Sequence, residues 1–381
     1  MTQTINYAFI GCGMMGHEHL RNLALIKGSN VTAILEPDAA MRTSAAELVP
    51  NATFEPDLES MLARTDIDAW VITTPNYQHA AQLKQLFAHS DKPILCEKPA
   101  CTEPADVLEL RELAEKHPAP VWVAMEYRYM PPIAALREQV EGTALGAVKM
   151  LSIREHRFPF LEKVNDWNRF NRNSGGTLVE KCCHFFDLMR LLLNDEAVRV
   201  FASGGVDVNH LDESYNGETP DIIDNAYVIV DFASGKRAML ELCMFAEGSR
   251  YQEEISVVGS DAKVECQIPG PGRFWPVETL GPAPIPQMIL SPRSPQGPQL
   301  QEIPVDEALL AAGDHNGSTY YQHVGFRRAI LEQGPVEVSM SDGLRAVAIG
   351  MAAQAAIEQG QAMIMTHDGF SFNRAGEHSP L

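Results

Sequence analysis

The sequence is poor in basic residues. Its 30 lysines and arginines stand against 50 aspartates and glutamates, which gives the 381-residue chain a formal charge of −20. A surface of this sign repels polyanions, so neither nucleic acid nor an anionic membrane surface is predicted as a partner. Runs of eighteen apolar residues are also absent, as is a basic N-terminal segment followed by an apolar one. We therefore predict neither a membrane span nor a signal peptide.

Cysteines are few and irregularly placed. The chain has 7 of them, an odd number without repeated spacing, which argues against a disulfide framework and favours reduced thiols in a cytoplasmic protein. Hydrophobic residues (45%) and charged residues (21%) occur in the proportions of an ordinary globular protein. At 381 residues the chain is long enough for two domains, each with its own core.

A glycine-rich turn follows the first apolar segment, residues 5–10. Its sequence is Gly11-Cys12-Gly13-Met14-Met15-Gly16, and a helical pattern follows it, as in a dinucleotide-binding site. There the first glycine permits the tight turn, the second admits a pyrophosphate, and the third lets the helix pack closely on the strand. Glu36 follows Gly16 by twenty residues, where a carboxylate binds ribose hydroxyls and repels a 2′-phosphate. NAD is therefore predicted in preference to NADP.

Strands and helices alternate over the first third of the chain. After a strand over 30–35, the pattern predicts helices over 57–64, 76–89 and 103–117 and strands over 69–73, 93–96 and 121–124. Such alternation is typical of a parallel, doubly wound sheet, whose ligands bind at the carboxyl ends of the strands. Two of these ends carry polar sequences, Thr74-Pro75-Asn76-Tyr77-Gln78-His79 and Glu97-Lys98-Pro99.

A long apolar segment begins at Gly175 and continues to about residue 193. We predict one mostly buried helix here. Glu180, His184 and Asp187 are spaced four and three residues apart, so they share one face of that helix. Buried polar groups must either satisfy one another or face a polar cavity. The pattern is compatible with a satisfied internal network, with one turn of helix that meets solvent, and with a pocket that contains an acid/base histidine.

The rest of the chain is predicted as a second domain. A linking helix over 131–140 leads to strands over 149–156, 199–204, 226–232, 238–244, 254–259 and 262–267. The polar loop over 158–173 suits polyol hydroxyls through Asn165, Trp167 and Arg169. Residues 269–304, rich in proline and glycine, are predicted as a long surface excursion. Helices over 318–333 and 342–359 and a polar tail from residue 370 complete the prediction.

In this order, the motifs resemble the Gfo/Idh/MocA oxidoreductase family. The similarity rests on the glycine turn, the Thr-Pro-Asn-x-x-His turn, Glu97-Lys98-Pro99, Arg128-Tyr129-x-Pro131 and the glycine-led helix with its histidine, and it extends over roughly 5–365. It implies an α/β fold: a Rossmann domain over 1–128, then over 129–370 an α/β domain with an open, mainly antiparallel sheet, and a tail over 371–381. The sheet often forms the oligomer contact, and a C-terminal helix is expected to pack back on the first domain.

The resemblance also implies an enzyme that transfers a hydride between NAD(P) and a secondary alcohol carbon of a sugar, sugar derivative or inositol. It assigns catalysis to Lys98, to His184 as acid/base and to Glu180, and Asp187 is interpreted as a structural or orienting partner. The residues assigned to the cofactor are Gly11, Gly13, Met14, Met15, Gly16, Glu36, Thr74, Pro75, Asn76, His79, Glu97, Lys98 and Arg128. Those assigned to the substrate are Lys98, Asn165, Trp167, Arg169, Glu180, His184 and His323.

Two residues depart from the family pattern: Glu180 stands where an aspartate is more usual, and Lys181 stands where a small residue is usual. With the additional histidines they motivate the first of two alternatives on the same fold, and the retained Lys98 and His184 weigh against the second. One is a transient oxidation followed by elimination, which cleaves a glycoside with recycled NAD. The other is a non-catalytic protein that senses dinucleotide or sugar.

No metal site is predicted. Cys182 and Cys183 are adjacent on the predicted helix, so they point in different directions and lack the spacing of a closed zinc site. A cation held by His184 and Glu180 with a distant ligand, His315 or His323, is the alternative. The resemblance and the cysteine content together predict a cytoplasmic homo-oligomer, a dimer or a tetramer.

Overall fold

The computed structural model describes residues 3–294, 296–332 and 334–376. Residue 295 of the predicted excursion, residue 333 of the predicted helix over 318–333 and residues 377–381 of the predicted tail lie outside the described residues. Across the described ranges, no helix combines the length and the apolar character needed to cross a membrane.

The first sheet consists of parallel strands with strongly apolar sequences. In chain order they are β1 (Ile5–Ile10), β2 (Ser29–Leu35), β3 (Thr53–Phe54), β4 (Ala69–Ile72), β5 (Ile94–Cys96) and β6 (Val121–Val123). Strands β4, β5 and β6 are buried along their whole length, as continuous apolar runs in a parallel sheet predict. The order across the sheet is β3-β2-β1-β4-β5-β6, which is the dinucleotide-binding arrangement. The predicted Rossmann sheet is confirmed.

Helices alternate with these strands. They are α1 (Met14–Ala24), α2 (Ala39–Leu48), α3 (Leu58–Leu62), α4 (Asn76–His89) and α5 (Pro104–Lys116). The sequence analysis missed α2, because Ala45 is its one residue that is fully buried, and the apolar periodicity is correspondingly weak. Its start is nevertheless well defined, since the Asp38 carboxylate accepts a hydrogen bond from the Met41 N–H.

The second sheet is open and mainly antiparallel, as predicted. Its strands are β7 (Met150–His156), β8 (Ala197–Gly205), β9 (Asn225–Phe232), β10 (Arg237–Cys243), β11 (Glu253–Val258), β12 (Ala262–Ile268), β13 (Gln287–Pro292), β14 (Gln299–Glu302), β15 (Met363–Met365) and β16 (Phe372–Arg374). The order is β14-β13-β12-β11-β7-β10-β9-β8-β15-β16, and β7 and β10 are parallel neighbours. Buried and exposed positions alternate along β9 and β10, so one face covers the core.

Two predictions about irregular segments are wrong. Strands β13 and β14 lie within 269–304, which therefore is not wholly a surface excursion. Strand β13 pairs with β12 and buries Met288. Its proline, Pro292, is the last residue of the strand, a position where proline is tolerated. The predicted tail from residue 370 contains β16, which pairs with β15.

The helices of the second half are α6 (Pro131–Glu141), α7 (Asn171–Ser174), α8 (Thr177–Glu180), α9 (Cys183–Leu193), α10 (Val277–Leu280), α11 (Glu307–Ala312), α12 (Ser318–Glu332) and α13 (Met340–Gln359). Short 3-10 helices cover Glu126–Tyr129, Val164–Arg169 and Gly272–Phe274. Helix α12 packs against α1, and α13 packs against α5 and β6 as well as α9. The C-terminal helices therefore lie on the first domain.

The long helix predicted from Gly175 is interrupted. Helix α8 ends at Glu180, and α9 begins at Cys183. The N–H groups of Lys181 and Cys182 both approach the carbonyl of Thr177, at 3.0 and 3.3 Å, so the regular hydrogen-bond ladder is lost there. Consequently, Glu180 and His184 belong to different helices.

Candidate active site

A large cavity opens at the carboxyl ends of the first sheet's strands. Its volume is about 890 Å³, and its wall combines loops of the first domain with residues 162–167 of the second. Both polar strand ends reach it, as expected for a doubly wound sheet. The lining residues that the sequence analysis assigns to cofactor or substrate are Gly11, Gly13, Met14, Met15, Glu36, Thr74, Pro75, Asn76, His79, Glu97, Lys98, Asn165, Trp167 and Glu180.

The glycine turn leaves space at the start of α1. This helix begins at Met14, with Gly13 as N-cap and no side chain capping its free N–H groups. A Cβ atom at Gly13 would meet nothing within 4 Å. Gly11 has a φ of +80°, and a Cβ there would lie 2.6 Å from Thr74, so the tight turn requires glycine. The exposed helix N-terminus fits the pyrophosphate of a dinucleotide.

Glu36 is fixed at the edge of the same cavity. One carboxylate oxygen accepts a hydrogen bond from the Cys12 N–H at 2.6 Å, and the other accepts from the Asp38 N–H at 2.8 Å. These bonds hold the acid beside the glycine turn. The position fits the ribose hydroxyls of a dinucleotide, as the sequence spacing predicts.

The turn before α4 is braced on two sides. Asn76 donates a hydrogen bond from Nδ2 to the Ser174 carbonyl at 3.1 Å, which links it to the second domain. The ring nitrogens of His79 lie 2.7 Å from the Pro99 carbonyl and 2.9 Å from the Thr74 carbonyl. Burial lowers the pKa of His79. This histidine lines the cavity, yet its contacts hold the turn against the Lys98 loop.

Lys98 follows β5, and its ammonium points toward the second domain. Its Nζ donates a hydrogen bond to the Glu180 carbonyl at 3.0 Å, and the Lys98–Pro99 peptide is cis. The preceding Glu97 accepts a hydrogen bond from the Lys98 N–H at 3.2 Å and lies 2.9 Å from His19 Nε2. The loop is thus fixed from both the first and second domains.

A smaller pocket adjoins the large cavity. Its volume is about 110 Å³. The two spaces share a wall formed by Met14, Met15, Lys98, Lys163 and Glu180. A group bound in the small pocket therefore lies next to whatever occupies the near end of the large cavity. This arrangement suits a substrate pocket beside a cofactor site.

His184 lies at the start of α9 and lines the small pocket. Its ring stacks on Tyr127, with centroids 4.1 Å apart and an interplanar angle of 9°. Within the described residues neither ring nitrogen has a hydrogen-bond partner, and Nδ1 is fully buried. Burial, followed by the nearby charges of Lys98 and Lys181, holds the pKa of His184 well below its usual value. The imidazole is therefore neutral and able to accept a proton.

Glu180 stands beside it with one oxygen unused. Its Oε2 is buried without a hydrogen-bond partner in the described part of the chain, and its Oε1 lies 3.8 Å from Lys163 Nζ. Burial raises the pKa of this carboxyl. Because an unpaired buried polar atom is costly, the pair of Glu180 and His184 indicates a binding site for hydroxyl groups.

Sequence reasoning missed several residues of the small pocket. Lys181, which was noted as a departure, contacts Tyr127 Oη and lies 3.0 Å from the Glu155 carboxylate. Arg157 and Glu253 also line the pocket or its wall. Tyr127 adjoins the Arg128-Tyr129 motif and could have been found there, whereas the residues of β7 and β11 carried no distinctive pattern.

Four predicted residues lie outside both cavities. Gly16 serves the close packing of α1, since a Cβ there would be 3.0 Å from the side chain of the threonine that directly follows β4. Arg128 donates to both oxygens of Asp187 at 2.5 Å, so this pair acts as the orienting contact. Arg169 pairs with a glutamate at 2.9 Å. His323 Nε2 lies 2.7 Å from the buried His19 ring.

The residues that could hold a metal ion differ from Glu180 and His184, which the sequence analysis considered. Within the described ranges, the carboxylate and imidazole group with ligand-like spacing is Glu18, Glu126 and His315. His315 Nδ1 lies 2.8 Å from Glu18 and 3.6 Å from Glu126. Burial lowers the pKa of His315, but the charges of Glu126 and Glu18 outweigh this effect and raise it to about 9. The imidazolium therefore offsets one of the two carboxylate charges.

Family models account for most of the chain. Residues 5–125 match the NAD-binding Rossmann fold of the Gfo/Idh/MocA oxidoreductase family, and residues 137–365 match that family's C-terminal alpha/beta domain. The chain belongs to this family. The predicted membership, fold class and oxidoreductase nature are confirmed.

Individual Gfo/Idh/MocA relatives are moderately similar. An inositol 2-dehydrogenase of Rhizobium meliloti (strain 1021) is 30% identical over 266 residues, which cover 69% of this chain and 76% of the relative. A 2,7-anhydro-N-acetylneuraminate hydratase of Mediterraneibacter gnavus is 24% identical over 239 residues, covering 63% and 61%. The structure of levoglucosan dehydrogenase in complex with NADH and levoglucosan superposes with a TM-score of 0.77 at 19% identity, covering 94% of this chain and 99% of that one. At that identity the superposition shows a shared fold.

Proposed function

We propose that the protein is an NAD-dependent dehydrogenase that oxidises a secondary alcohol carbon of a sugar, sugar derivative or inositol. The observation that carries the proposal is that His184 Nδ1 and Glu180 Oε2, both buried without a hydrogen-bond partner in the described residues, belong to residues that line the small pocket together with Lys98. Inositol 2-dehydrogenases among the relatives and a levoglucosan dehydrogenase among the similar structures support this substrate class.

The residues have distinct roles in this proposal. When bound, NAD supplies the hydride acceptor. The neutral imidazole of His184 accepts the proton of the substrate hydroxyl, and the Lys98 ammonium stabilises negative charge that develops on the same oxygen. Glu180 accepts a hydrogen bond from a neighbouring hydroxyl and orients the ring. Asn165 and Trp167, which the sequence analysis assigns to the substrate, line the large cavity and not the small pocket.

Two carboxylates support NAD as the preferred cofactor over NADP. Glu36 is fixed beside the glycine turn, and Asp38 lines the same end of the cavity. A 2′-phosphate brought to this position would face both negative charges.

The exposed face of the second sheet supports a homo-oligomer. Phe201, Ile229 and Met239 lie side by side on β8, β9 and β10, and all three are exposed, as is Tyr227. Such a contiguous apolar row is typical of a protein interface. We expect Ile229→Lys to lower the mass measured by light scattering, whereas Val208→Lys, exposed but outside the strands, leaves it unchanged. A monomeric wild-type protein would contradict this part of the proposal.

The cysteines support the predicted cytoplasmic location. All seven are free thiols in the structure, and six of them are buried. Burial raises the pKa of Cys12 to about 12, so its thiol is unreactive near neutral pH.

A direct assay tests the main proposal. Purified protein is incubated with NAD and a panel of sugars, sugar acids and inositols, and the absorbance of reduced cofactor is followed. We expect reduction with at least one substrate, and its loss in Lys98→Met with NAD binding retained. If the wild-type protein binds NAD but reduces none of it across the panel, the proposal is wrong. Retained ligand binding without any turnover would then favour a sensor.

A second candidate is oxidation followed by elimination with recycled NAD. It requires a proton donor for the leaving group in addition to the base. His315, whose imidazolium lines the small pocket, could supply that proton, and a hydratase occurs among the relatives. Product analysis separates the two reactions, because elimination yields cleaved substrate without accumulated NADH.

A further inference from the structure

Two cations of the small pocket, Arg157 and Lys163, have no carboxylate oxygen within hydrogen-bonding distance, whereas several cations elsewhere in the described chain do. Arg128 lies 2.5 Å from Asp187, Lys84 lies 2.6 Å from Glu109, and Arg190 lies 2.7 Å from a glutamate. At the pocket, the nearest carboxylate oxygen is 3.7 Å from the Arg157 guanidinium and 3.8 Å from Lys163 Nζ. Both separations exceed a charge-assisted hydrogen bond.

Arg157 is held in place mainly by hydrogen bonds of its backbone, and its ion pair with Glu155 is long, at 3.7 Å. It follows β7, its N–H donates to the Cys243 carbonyl at 2.9 Å, and its carbonyl accepts from the Ala246 N–H at 3.1 Å. The guanidinium lies 4.4 Å from the centroid of the Phe158 ring, and its Nε donates to the carbonyl of that residue at 3.2 Å. The carboxylate of the nearby Glu155 forms a closer ion pair with Lys181 Nζ, at 3.0 Å. The terminal N–H groups of Arg157 thus have no carboxylate within hydrogen-bonding distance among the described residues.

Acidic residues of the pocket do little to neutralise these cations. Burial, and then repulsion from Glu155, raises the pKa of Glu253 to about 8, so it carries a proton at neutral pH. Burial also raises the pKa of Glu180. Asp314 is paired with Arg273 at 2.6 Å. The small pocket is therefore positively charged within a chain whose formal charge is −20.

We propose that Arg157, with Lys163, forms a binding site for a carboxylate group on the substrate, so that the preferred substrates are sugar acids. The planar guanidinium fork matches a carboxylate, and its remaining donors are free to bind both oxygens. A pocket of about 110 Å³ favours a monosaccharide acid over a bulky nucleotide-linked sugar. Lys163 also lines the large cavity, but Arg157 lines the small pocket alone, so the substrate and not the cofactor is its partner.

The test compares acids with neutral sugars of the same ring. It rests on the proposed dehydrogenase activity. The value of kcat/KM is measured for two pairs of substrates: glucuronate with glucose, and galacturonate with galactose. In the wild-type protein we expect the acid to exceed its neutral partner by about tenfold or more, and in Arg157→Met we expect that ratio to fall by about tenfold or more. The matched control is Arg154→Gln on β7, the strand that precedes Arg157; the exposed Arg154 guanidinium pairs with Glu254 at 2.6 Å. It should leave the ratio unchanged.

The possible outcomes separate this inference from the proposed function. Efficient oxidation of neutral sugars with an acid-to-neutral ratio of one or less overturns the carboxylate site and leaves the dehydrogenase intact. Preference for glucose 6-phosphate over glucuronate also overturns it, in favour of a phosphate. If no substrate is oxidised, calorimetry of the NADH-bound protein with glucuronate decides: binding that is lost in Arg157→Met supports the site, and absence of binding overturns it. Should Arg157→Met fold poorly, Arg157→Gln replaces it in both measurements.

Discussion

Two successive turns of α9 place buried polar residues in opposite situations. His184 in the first turn has no hydrogen-bond partner within the described residues, although its ring is stacked on Tyr127. Asp187, in the next turn, receives hydrogen bonds from Arg128 on both oxygens at 2.5 Å and lies 3.9 Å from Arg190. Both residues are almost fully buried. Burial alone therefore does not mark a buried polar residue as functional. The absence of a hydrogen-bond partner does mark it.

Substitution at the two positions should have different energetic consequences. A paired charge contributes to stability, because removing it leaves its partner charged in a poorly hydrated site. An unpartnered group is a local cost that binding of a ligand relieves. Substitutions in the first turn should therefore affect chemistry, and those in the second turn should affect folding.

The largest effect is expected at His184. We expect His184→Ala to lower kcat/KM by about 10²- to 10⁴-fold, the usual contribution of a general acid or base. The free energy of unfolding should fall by less than in Asp187→Ala, because the removed side chain makes no hydrogen bond and loses only its packing on Tyr127. Activity and calorimetry on the same preparation check both parts.

The pH profile provides an independent check of the same residue. The pKa of His184 is held well below its usual value by burial, so the imidazole is already deprotonated at mildly acidic pH. When the pH is lowered from about 7 to about 6.5, the usual histidine pKa, we expect kcat/KM to show no loss that depends on His184. A steep fall there that disappears in His184→Ala would contradict the assigned state.

A change in the second turn should act on stability. We expect Asp187→Ala to lower the free energy of unfolding by about 3–5 kcal/mol, because the Arg128 side chain, which is only 9% exposed, loses the acid with which it pairs at 2.5 Å. Denaturant titration measures it. Glu141→Ala, which breaks an exposed pair with Arg137, is the control and should cause no comparable loss. Loss of catalysis in Asp187→Ala at wild-type stability would reverse the comparison.

A smaller effect is expected at the cofactor end of the cavity. Glu36→Gln keeps the size of the side chain but removes the charge that would repel a 2′-phosphate. We expect the ratio of kcat/KM for NAD over NADP to fall by about tenfold, which corresponds to about 1.4 kcal/mol. Asp57→Asn, a helix cap on α3 away from the cavity, is the control. An unchanged ratio in Glu36→Gln would remove this residue from cofactor selection.

The parts of the site that could be predicted are those fixed by local chemistry. Gly11 and Gly13 are required by the backbone of a tight turn and by a helix start that must stay open, so their pattern is visible in the sequence. Glu36 follows at a spacing set by one strand and one helix. Lys98 was found because of the short motif around it, and its position follows directly from the end of β5.

Other parts depend on contacts between distant segments. Arg157 and Lys181 acquire their roles because β7, β11 and the break before α9 meet at one pocket, and none of these contacts has a local signature. The break itself was missed because apolar residues precede it at Leu178 and Val179 and follow it from Cys182. His315 and Glu18 are separated by 297 residues and meet through the packing of the C-terminal segment on α1.

The smallest effect concerns that contact between His315 and Glu18. The pKa of His315 is raised to about 9 in the folded protein, so its stabilising contribution is complete below its ordinary value of 6.5 and is lost as the pH rises through about 9. For each rise of one pH unit within that window, the free energy of unfolding should fall by about 1 kcal/mol more in the wild-type protein than in His315→Gln. Denaturant titrations of both proteins at several pH values measure the difference. Parallel curves would show that the imidazolium does not hold the two domains together, whereas convergence at high pH would give His315 the same structural role as Arg128.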